Sequence, residues 1–362
     1  MTPDPVDEAV ALHDRALSAW DECHYPLAAD LCRRALEILE AHAGAGSPDV
    51  ANVLTLLGSA EDELGAHGPA EAHHRRAAAI MGALPAQPDV LLRLRVQAAL
   101  GLGGNLRRQG RYLEAEQVYR VACDDAAASY SALEMVPLHN ELGVLYKFAG
   151  RLDDARARYA TVRAVLEDAY GPEHPVLAAV WHNLAGLAHS RGDLAEGEAY
   201  ARRSLALHRA AFPPGHPAVV ADEAHLAALL QARGNHAEAE PLLRRAIGYF
   251  TDLHGPDHVD VLTNLHNLAA VLADAGDPAG AEELYRRALD GKRRTFGPDH
   301  PEVALTLHNL AALAAGRGER APARAMAAEA HRILTPRVAA DHPVLVSAAG
   351  FLAGPAEVQG RS

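Results

Sequence analysis

The sequence predicts an all-α fold, an α-solenoid of antiparallel helix pairs, and two observations support this prediction. The first is composition, since 49% of the 362 residues are hydrophobic but only 5% are aromatic, and strands prefer β-branched and aromatic side chains. The second is a Gly-Pro-Asp/Glu-His segment that recurs in steps of 42 residues. Its histidines are His174, His216, His258, His300 and His342. Repeats of this length that fill a chain are typical of solenoids.

Each repeat predicts two helices. An apolar run with helical periodicity, such as residues 303–315, ends at a glycine turn, and a second run, such as residues 281–289, belongs to the other helix. We expect Gly297 to adopt the left-handed conformation that ends the second helix, with Pro298 preventing its continuation. His300 precedes a proline and should be extended, as a helix N-cap is, so the His-Pro dipeptide is predicted to be a structural cap.

The spacing predicts one array over residues 1–353, with no second domain. The glycine that ends each first helix recurs as Gly65, Gly110, Gly150, Gly192, Gly234, Gly276 and Gly318, and Cys23 stands at the same point of the first repeat. Terminal repeats lack a neighbour and therefore need caps. The predicted parts are a degenerate cap (1–45), regular repeats (48–335), a single capping helix (341–353) and a flexible tail (354–362).

Charge and cysteine content exclude several classes of function. With 47 acidic and 34 basic residues the net charge is −13, which argues against binding to nucleic acid or to an anionic membrane. The three cysteines have no CxxC spacing, so they predict neither a disulfide framework nor a zinc site. No signal peptide and no apolar run of membrane-spanning length is present in the sequence. These features predict a cytoplasmic protein.

The repeat resembles the tetratricopeptide repeat in the longer, 42-residue form of the kinesin light chains. The similarity lies in Leu-His-Asn-Leu-Ala-Ala-Leu (307–313), Gly-Asp-x-x-x-Ala-Glu-Glu-Leu-Tyr-Arg-Arg-Ala-Leu (276–289) and Gly-Pro-Asp-His-Pro-Glu-Val-Ala (297–304). The resemblance implies a right-handed superhelix with a concave inner groove. It also implies a non-enzymatic scaffold or adaptor, without a cofactor, that binds a peptide or a partner protein in that groove.

One small residue in each repeat is predicted to mark the closest approach of its two helices. This position holds Gly103, Gly143, Ala185, Ala227, Ala269 and Ala311. The leucine immediately before it should fill the core between repeats. The leucines are Leu102, Leu142, Leu184, Leu226, Leu268 and Leu310.

The resemblance implies that the two residues before this leucine face the groove. The predicted groove residues are Asn140, Glu141, His182, Asn183, His225, His266, Asn267, His308 and Asn309. An Asn amide offers both a donor and an acceptor, so a column of them would pair with the backbone of an extended peptide. Seven residues after the first of each pair lies a partly basic stripe suited to a carboxylate or phosphate. The stripe consists of Arg107, Lys147, His189 and Gln231.

A metal-binding or catalytic protein is the first alternative. The sequence has 21 histidines, and His225, His266 and His308 would form a zinc site if they converged. The nearby carboxylates are Asp222, Glu223 and Asp274. Against this alternative, the sequence contains no zinc-protease, nucleophile-elbow or phosphate-loop motif. We therefore expect neither an enzyme nor a bound metal.

A regulatory sensor is the second alternative, either for a peptide signal or for pH. Histidine side chains ordinarily titrate near pH 6.5. Protonation of the groove histidines, with His189, would make the groove cationic and strengthen the binding of acidic ligands. The sequence does not identify the partner, the biological process or the oligomeric state.

Overall fold

The computed structural model describes residues 4–84 and 89–353, which fold into 17 α-helices joined by short turns. They form eight consecutive pairs and a final single helix, α17 (Pro343–Ala353). The first helices are α1 (Pro5–Asp21), α3 (Pro48–Glu63), α5 (Asp89–Arg108), α7 (Val136–Phe148), α9 (Ala178–Arg191), α11 (Pro217–Ala232), α13 (Val259–Asp274) and α15 (Pro301–Gly316). The second helices are α2 (Tyr25–His42), α4 (His67–Ala83), α6 (Tyr112–Ala126), α8 (Leu152–Tyr170), α10 (Leu194–Ala211), α12 (His236–His254), α14 (Pro278–Phe296) and α16 (Arg320–Leu334). The predicted fold class, an all-α solenoid of antiparallel helix pairs, is confirmed.

The chain divides into two compact units, Met1–Leu145 and Tyr146–Ser362, called unit 1 and unit 2 below. The helix pattern continues through this division, because α7 itself spans it. The single array over residues 1–353 and its internal boundaries stay predictions. The tail predicted for residues 354–362 lies outside the described residues.

The small residue of each repeat lies where its two helices meet, as predicted. Ala185, Ala227, Ala269 and Ala311 are fully buried. At Gly103 the ring of Tyr119, from α6, occupies the space that a side chain would need. The leucines that precede these positions are also buried: Leu102, Leu142, Leu184, Leu226, Leu268 and Leu310.

The histidine caps are confirmed at four helix starts. In each, the imidazole Nδ1 accepts a hydrogen bond from the backbone N–H two residues later, at 3.1 Å for His300 and 3.2 Å for His216. An aromatic ring four residues earlier packs against the cap, most closely in Phe212 against His216, with centroids 3.9 Å apart. The other two caps are His174 and His258, packed against Tyr170 and His254.

Two turn types require a positive φ. The glycines after the first helices have φ between 72° and 88° from Gly110 to Gly318, and Cys23 holds φ 59° at the corresponding place. The left-handed helical conformation predicted for Gly297 is wrong, because its φ of 85° is combined with a ψ of 162°. That region is open essentially to glycine alone, and it turns the chain directly into the extended segment before His300.

Within residues 4–84 and 89–353, none of the helices combines the length and the apolar character that a membrane span requires.

Candidate binding surface

The first helices form the inner layer of each unit. In unit 2, α9 contacts α11, α11 contacts α13 and α13 contacts α15, and in unit 1 α3 contacts both α1 and α5. Second helices of neighbouring pairs are connected by long side chains, for example in the ion pairs of Arg202 with Glu238 (3.2 Å) and of Arg293 with Glu329 (2.9 Å). We call the side on which the first helices meet the first-helix face. All predicted groove residues lie on first helices.

His182 links α9 to the next first helix. Its Nδ1 atom lies 2.7 Å from Asp222 Oδ1 on α11, and its ring lies 4.2 Å from the His225 ring. Asp222 is 2% exposed and also accepts hydrogen bonds from Ser204 Oγ (2.6 Å) and His208 Nδ1 (2.8 Å). Burial alone would raise the pKa of Asp222, but these donors hold that pKa well below its usual value. His182 therefore joins two repeats.

His266 makes the same kind of link between α13 and α15. Its Nδ1 lies 3.1 Å from Thr306 Oγ1, and its Nε2 lies 3.0 Å from Asn309 Nδ2. The Thr306 hydroxyl donates to the Glu302 carbonyl, so it accepts from His266 Nδ1, and Nε2 accepts from Asn309. Burial, together with the charge of Lys292, lowers the pKa of His266 to about 3. The imidazole is therefore neutral at physiological pH.

The predicted Asn column is thus only partly available to a ligand. Asn309 donates from Nδ2 to both His266 and Tyr285 Oη, which uses its two N–H groups within the fold. Asn183 is half-buried and also has a partner within the chain. Asn267 is half-buried and makes no hydrogen bond within the described part of the chain. The residue that would correspond to His182 or His266 on the preceding first helix is Ala224, which offers no polar atom.

Some residues of the predicted basic stripe are also engaged within the fold. Arg107 lies 3.7 Å from Glu141 Oε2, and Gln231 donates to Asp274 Oδ2 at 2.5 Å. Lys147 and His189 remain next to each other in unit 2, where Lys147 contributes to lowering the pKa of His189 after burial. At pH 7 the positive charge of the stripe therefore lies on Arg107, beside Glu141, and on Lys147, because His189 is neutral.

Unit 1 contains a cavity of about 500 Å³ on its first-helix face. Three predicted residues line it, Arg107, Asn140 and Glu141. Glu141 accepts from Tyr119 Oη at 3.3 Å and from Asn140 Nδ2 at 3.4 Å. Sequence reasoning missed the remaining lining, which includes Trp20, Thr55, Ser59, Gln97 and Gly104.

The sequence feature that could have indicated this cavity is the cluster of glycines in α5. A side chain at Gly101 would overlap His74, whose fully buried ring approaches Asp62 Oδ2 at 3.3 Å. Asp62 also accepts from Asn105 Nδ2 at 2.7 Å and lies 2.9 Å from His67 Nδ1. Burial opposes its ionisation, yet these partners and Arg108 lower the pKa of Asp62 to about 2. The lining of the cavity therefore includes a carboxylate, Asp62, that is ionised at neutral pH.

The structure does not bring together the trio proposed for a metal. Among the described residues, the only three potential ligand atoms that lie within 4.8 Å of one another belong to His254, His258 and Asp260. His225, His266 and His308 therefore do not form a group of converging ligand atoms in the described part of the chain. The His254 and His258 rings are tilted by 32° to each other, with their centroids 4.2 Å apart. His258 Nδ1 accepts a hydrogen bond from the Asp260 N–H and caps α13, so this nitrogen is used within the fold.

The expectation that the groove histidines titrate near pH 6.5 is also wrong for most of them. Burial lowers the pKa of His189, His225, His266 and His308, and neighbouring positive groups lower the first three further. These side chains are neutral at pH 7 and gain a proton only at lower pH.

Comparisons with known proteins agree with this architecture. The sequence model of the tetratricopeptide repeat family matches residues 7–83, 134–210, 218–294 and 260–335, which together exceed half of the chain. Comparison with curated protein sequences gives no match.

Several solved structures share the fold. A Rap protein complexed with competence and sporulation factor is 12% identical, with a TM-score of 0.63 and 96% of each chain covered. NprR in complex with its cognate peptide NprX is 14% identical, with a TM-score of 0.57 and coverage of 81% of this chain and 82% of that one. The kinesin-light-chain-like protein BtubC from P. vanneervenii is 20% identical over 68% of this chain and 93% of its own, with a TM-score of 0.46. The Rap and NprR structures indicate a shared fold, and the match to the family model establishes that this chain belongs to the tetratricopeptide repeat family.

Proposed function

We propose that this protein is a non-enzymatic, cytoplasmic scaffold that binds an extended peptide segment of a partner protein along its first-helix face. The tetratricopeptide family generally serves protein interaction. Rap and NprR, which share the fold, are complexed with peptides in their solved structures. These similarities support a peptide as the partner. The residues of this chain support the first-helix face as the place where it binds.

The observation that carries the proposal is the unused amide of Asn267. His225 and Asn309, at the same position of the neighbouring repeats, are each held by a histidine of the preceding first helix. Ala224 interrupts this pattern, so Asn267 keeps a donor and an acceptor on the inner face. An extended peptide presents an N–H and a C=O group at each residue, and a side-chain amide can pair with both.

The test uses two variants that act on Asn267 in different ways. Asn267→Ala removes the amide, and Ala224→His supplies the histidine that should engage it, as His266 engages Asn309. Both variants should bind partners captured from the native host at least about fivefold more weakly, the loss expected for one or two peptide hydrogen bonds. Arg244→Ala serves as the control, because within residues 4–84 and 89–353 this exposed side chain pairs with Glu240 on the same helix and with no other group.

Affinities would be measured by calorimetry with the captured partner, after circular dichroism has verified matched helicity. Unchanged binding in both variants, with partners lost only in the Arg244 control, would contradict the proposal. It would indicate that the binding site lies on the second helices.

A further inference from the structure

We propose that the loop between α16 and α17 is a latch that closes unit 2 into a ring. The latch must release before a segment flanked by folded domains can reach the first-helix face. This inference rests on the proposed function, because it describes how a polypeptide gains access to that face. The latch consists of Ala339 and His342, which contact Ala149 and Gly150 in the turn before α8.

The latch combines a backbone hydrogen bond with a ring contact. The Ala339 N–H donates to the Ala149 carbonyl at 2.9 Å. A methyl group at Gly150 would lie 2.8 Å from His342 Cδ2, so the imidazole packs directly on the backbone of the turn. Two segments that are far apart in the sequence are therefore held together at this point.

The latch replaces contacts that other repeats make locally. Three of them have a glycine at the position of Ala339, and its N–H donates to the carbonyl four residues earlier in its own repeat. These glycines are Gly171, Gly255 and Gly297. Ala339 donates to a different repeat instead. The histidine differs as well, because His342 Nδ1 is buried and has no hydrogen-bond partner within the described residues, whereas its four counterparts cap a helix through Nδ1.

The latch completes a closed path through unit 2. Each helix from α8 to α16 contacts the next one along the chain, and the latch connects the loop after α16 to the turn before α8. The first helices form the inner layer, so their face lies inside this path. The inner face is open to water, since the His182 side chain is 36% exposed. A chain with a free end can enter such a ring lengthwise, whereas a segment between two folded domains needs a gap in the ring.

The latch should control the rates of binding more than the affinity. One backbone hydrogen bond shifts an equilibrium between closed and open forms by about tenfold or less, so the latch can open on its own. The latch closes again behind a bound segment, and the same contact is then present in the free and in the bound protein. A contact that is equal in both states leaves the binding equilibrium unchanged.

The test variant removes the hydrogen bond of the latch and keeps the local chain path. Ala339→Pro deletes the N–H group, and proline already occupies the corresponding position of another repeat as Pro213. The residue before it is bonded alike in both repeats. The Val338 N–H donates to the carbonyl four residues earlier, as the Phe212 N–H does.

The control variant is Ala340→Pro, which keeps the Ala339 N–H. It introduces the proline that the other repeats have at this position, namely Pro172, Pro214, Pro256 and Pro298. Circular dichroism should verify that both variants have the helicity of wild type.

The probe is the bound segment of the captured partner in two forms. One form is a synthetic peptide with free ends, and the other is the same segment inserted between two copies of a small folded domain. In wild type the inserted form should associate and dissociate roughly tenfold more slowly than the peptide. Ala339→Pro should speed both rates of the inserted form about tenfold, with its Kd and the rates of the peptide unchanged. Ala340→Pro should behave as wild type.

Two outcomes of the rate measurements would overturn the latch: equal rates for both forms in wild type, or an equal acceleration of both forms by Ala339→Pro. Hydrogen exchange tests the latch without a ligand. In the free wild-type protein the Ala339 amide should exchange at least about tenfold more slowly than an unbonded amide, and exchange at the unbonded rate would also overturn it. Unchanged partner binding in Asn267→Ala and Ala224→His would refute the proposed function, while slow exchange at Ala339 would still support the closed ring.

Discussion

A buried ion pair between α14 and α15 should control the local stability of unit 2. The Lys292 side chain is only 1% exposed, and its Nζ atom donates to Glu302 Oε2 at 2.8 Å. Burial would raise the pKa of Glu302, but Lys292 lowers it from 4.5 to about 2. Glu302→Gln keeps the shape of the side chain and removes its charge, which leaves the ammonium group buried without its counter-ion.

Two estimates of the cost agree. A fall in pKa from 4.5 to about 2 corresponds to roughly 3 kcal/mol, at about 1.4 kcal/mol for each pH unit. Removing one partner of a buried pair typically costs about 3 to 5 kcal/mol. A carboxyl whose pKa is lowered by folding stabilises the protein above its unfolded value near 4.5, and this contribution is lost as the pH falls toward 2. The difference between wild type and Glu302→Gln should therefore disappear over that range.

Hydrogen exchange of the α14 and α15 amides is the appropriate assay, because repeat proteins open locally and are often not two-state. At pH 7, Glu302→Gln should lower the opening free energy of these helices by about 3 kcal/mol. The double variant Lys292→Leu and Glu302→Ala carries the residues found at the same positions of other repeats, Leu334 and Ala218, and should stay close to wild type. A loss below about 1 kcal/mol in Glu302→Gln, or a larger loss in the double variant, would refute the reasoning.

Three further substitutions test the turns and caps. Cys23→Gly relieves a positive φ of 59° and should raise stability by about 1 kcal/mol in thermal unfolding; an unchanged midpoint would contradict this. Gly150→Ala places a methyl group 2.8 Å from His342 Cδ2 at a φ of +81°, so it should destabilise unit 2 by about 1 to 2 kcal/mol. It should also speed hydrogen exchange at the Ala339 amide, because this amide donates to the Ala149 carbonyl next to the turn. Protection at Ala339 equal to wild type would show that this contact does not depend on the turn. His300→Ala removes the N-cap of α15 and should cost about 1 kcal/mol in urea unfolding, whereas His300→Asn should recover most of it.

The sequence predicted the features that depend on spacing along one helix. The positions of the glycine turns, the histidine caps and the buried small residues follow from periodicity, because each is determined by local geometry. It did not predict that Lys292 is buried, since a lysine on a second helix normally extends into solvent. It also missed the link from His266 to Thr306, because a partner 40 residues away depends on how consecutive repeats pack and on side-chain rotamers.

The polar group that the fold leaves unused occurs where the repeat pattern is interrupted. At His182 and His266 the pattern is intact, and the polar side chains hold neighbouring first helices together. At Ala224 the histidine is missing, and the amide of Asn267 remains unused. Because a shared motif describes what the repeats have in common, it identifies the inner face but not these positions. Selectivity for one partner should therefore depend on the exceptional residues, and substitutions toward the repeat consensus should preserve folding while they reduce binding.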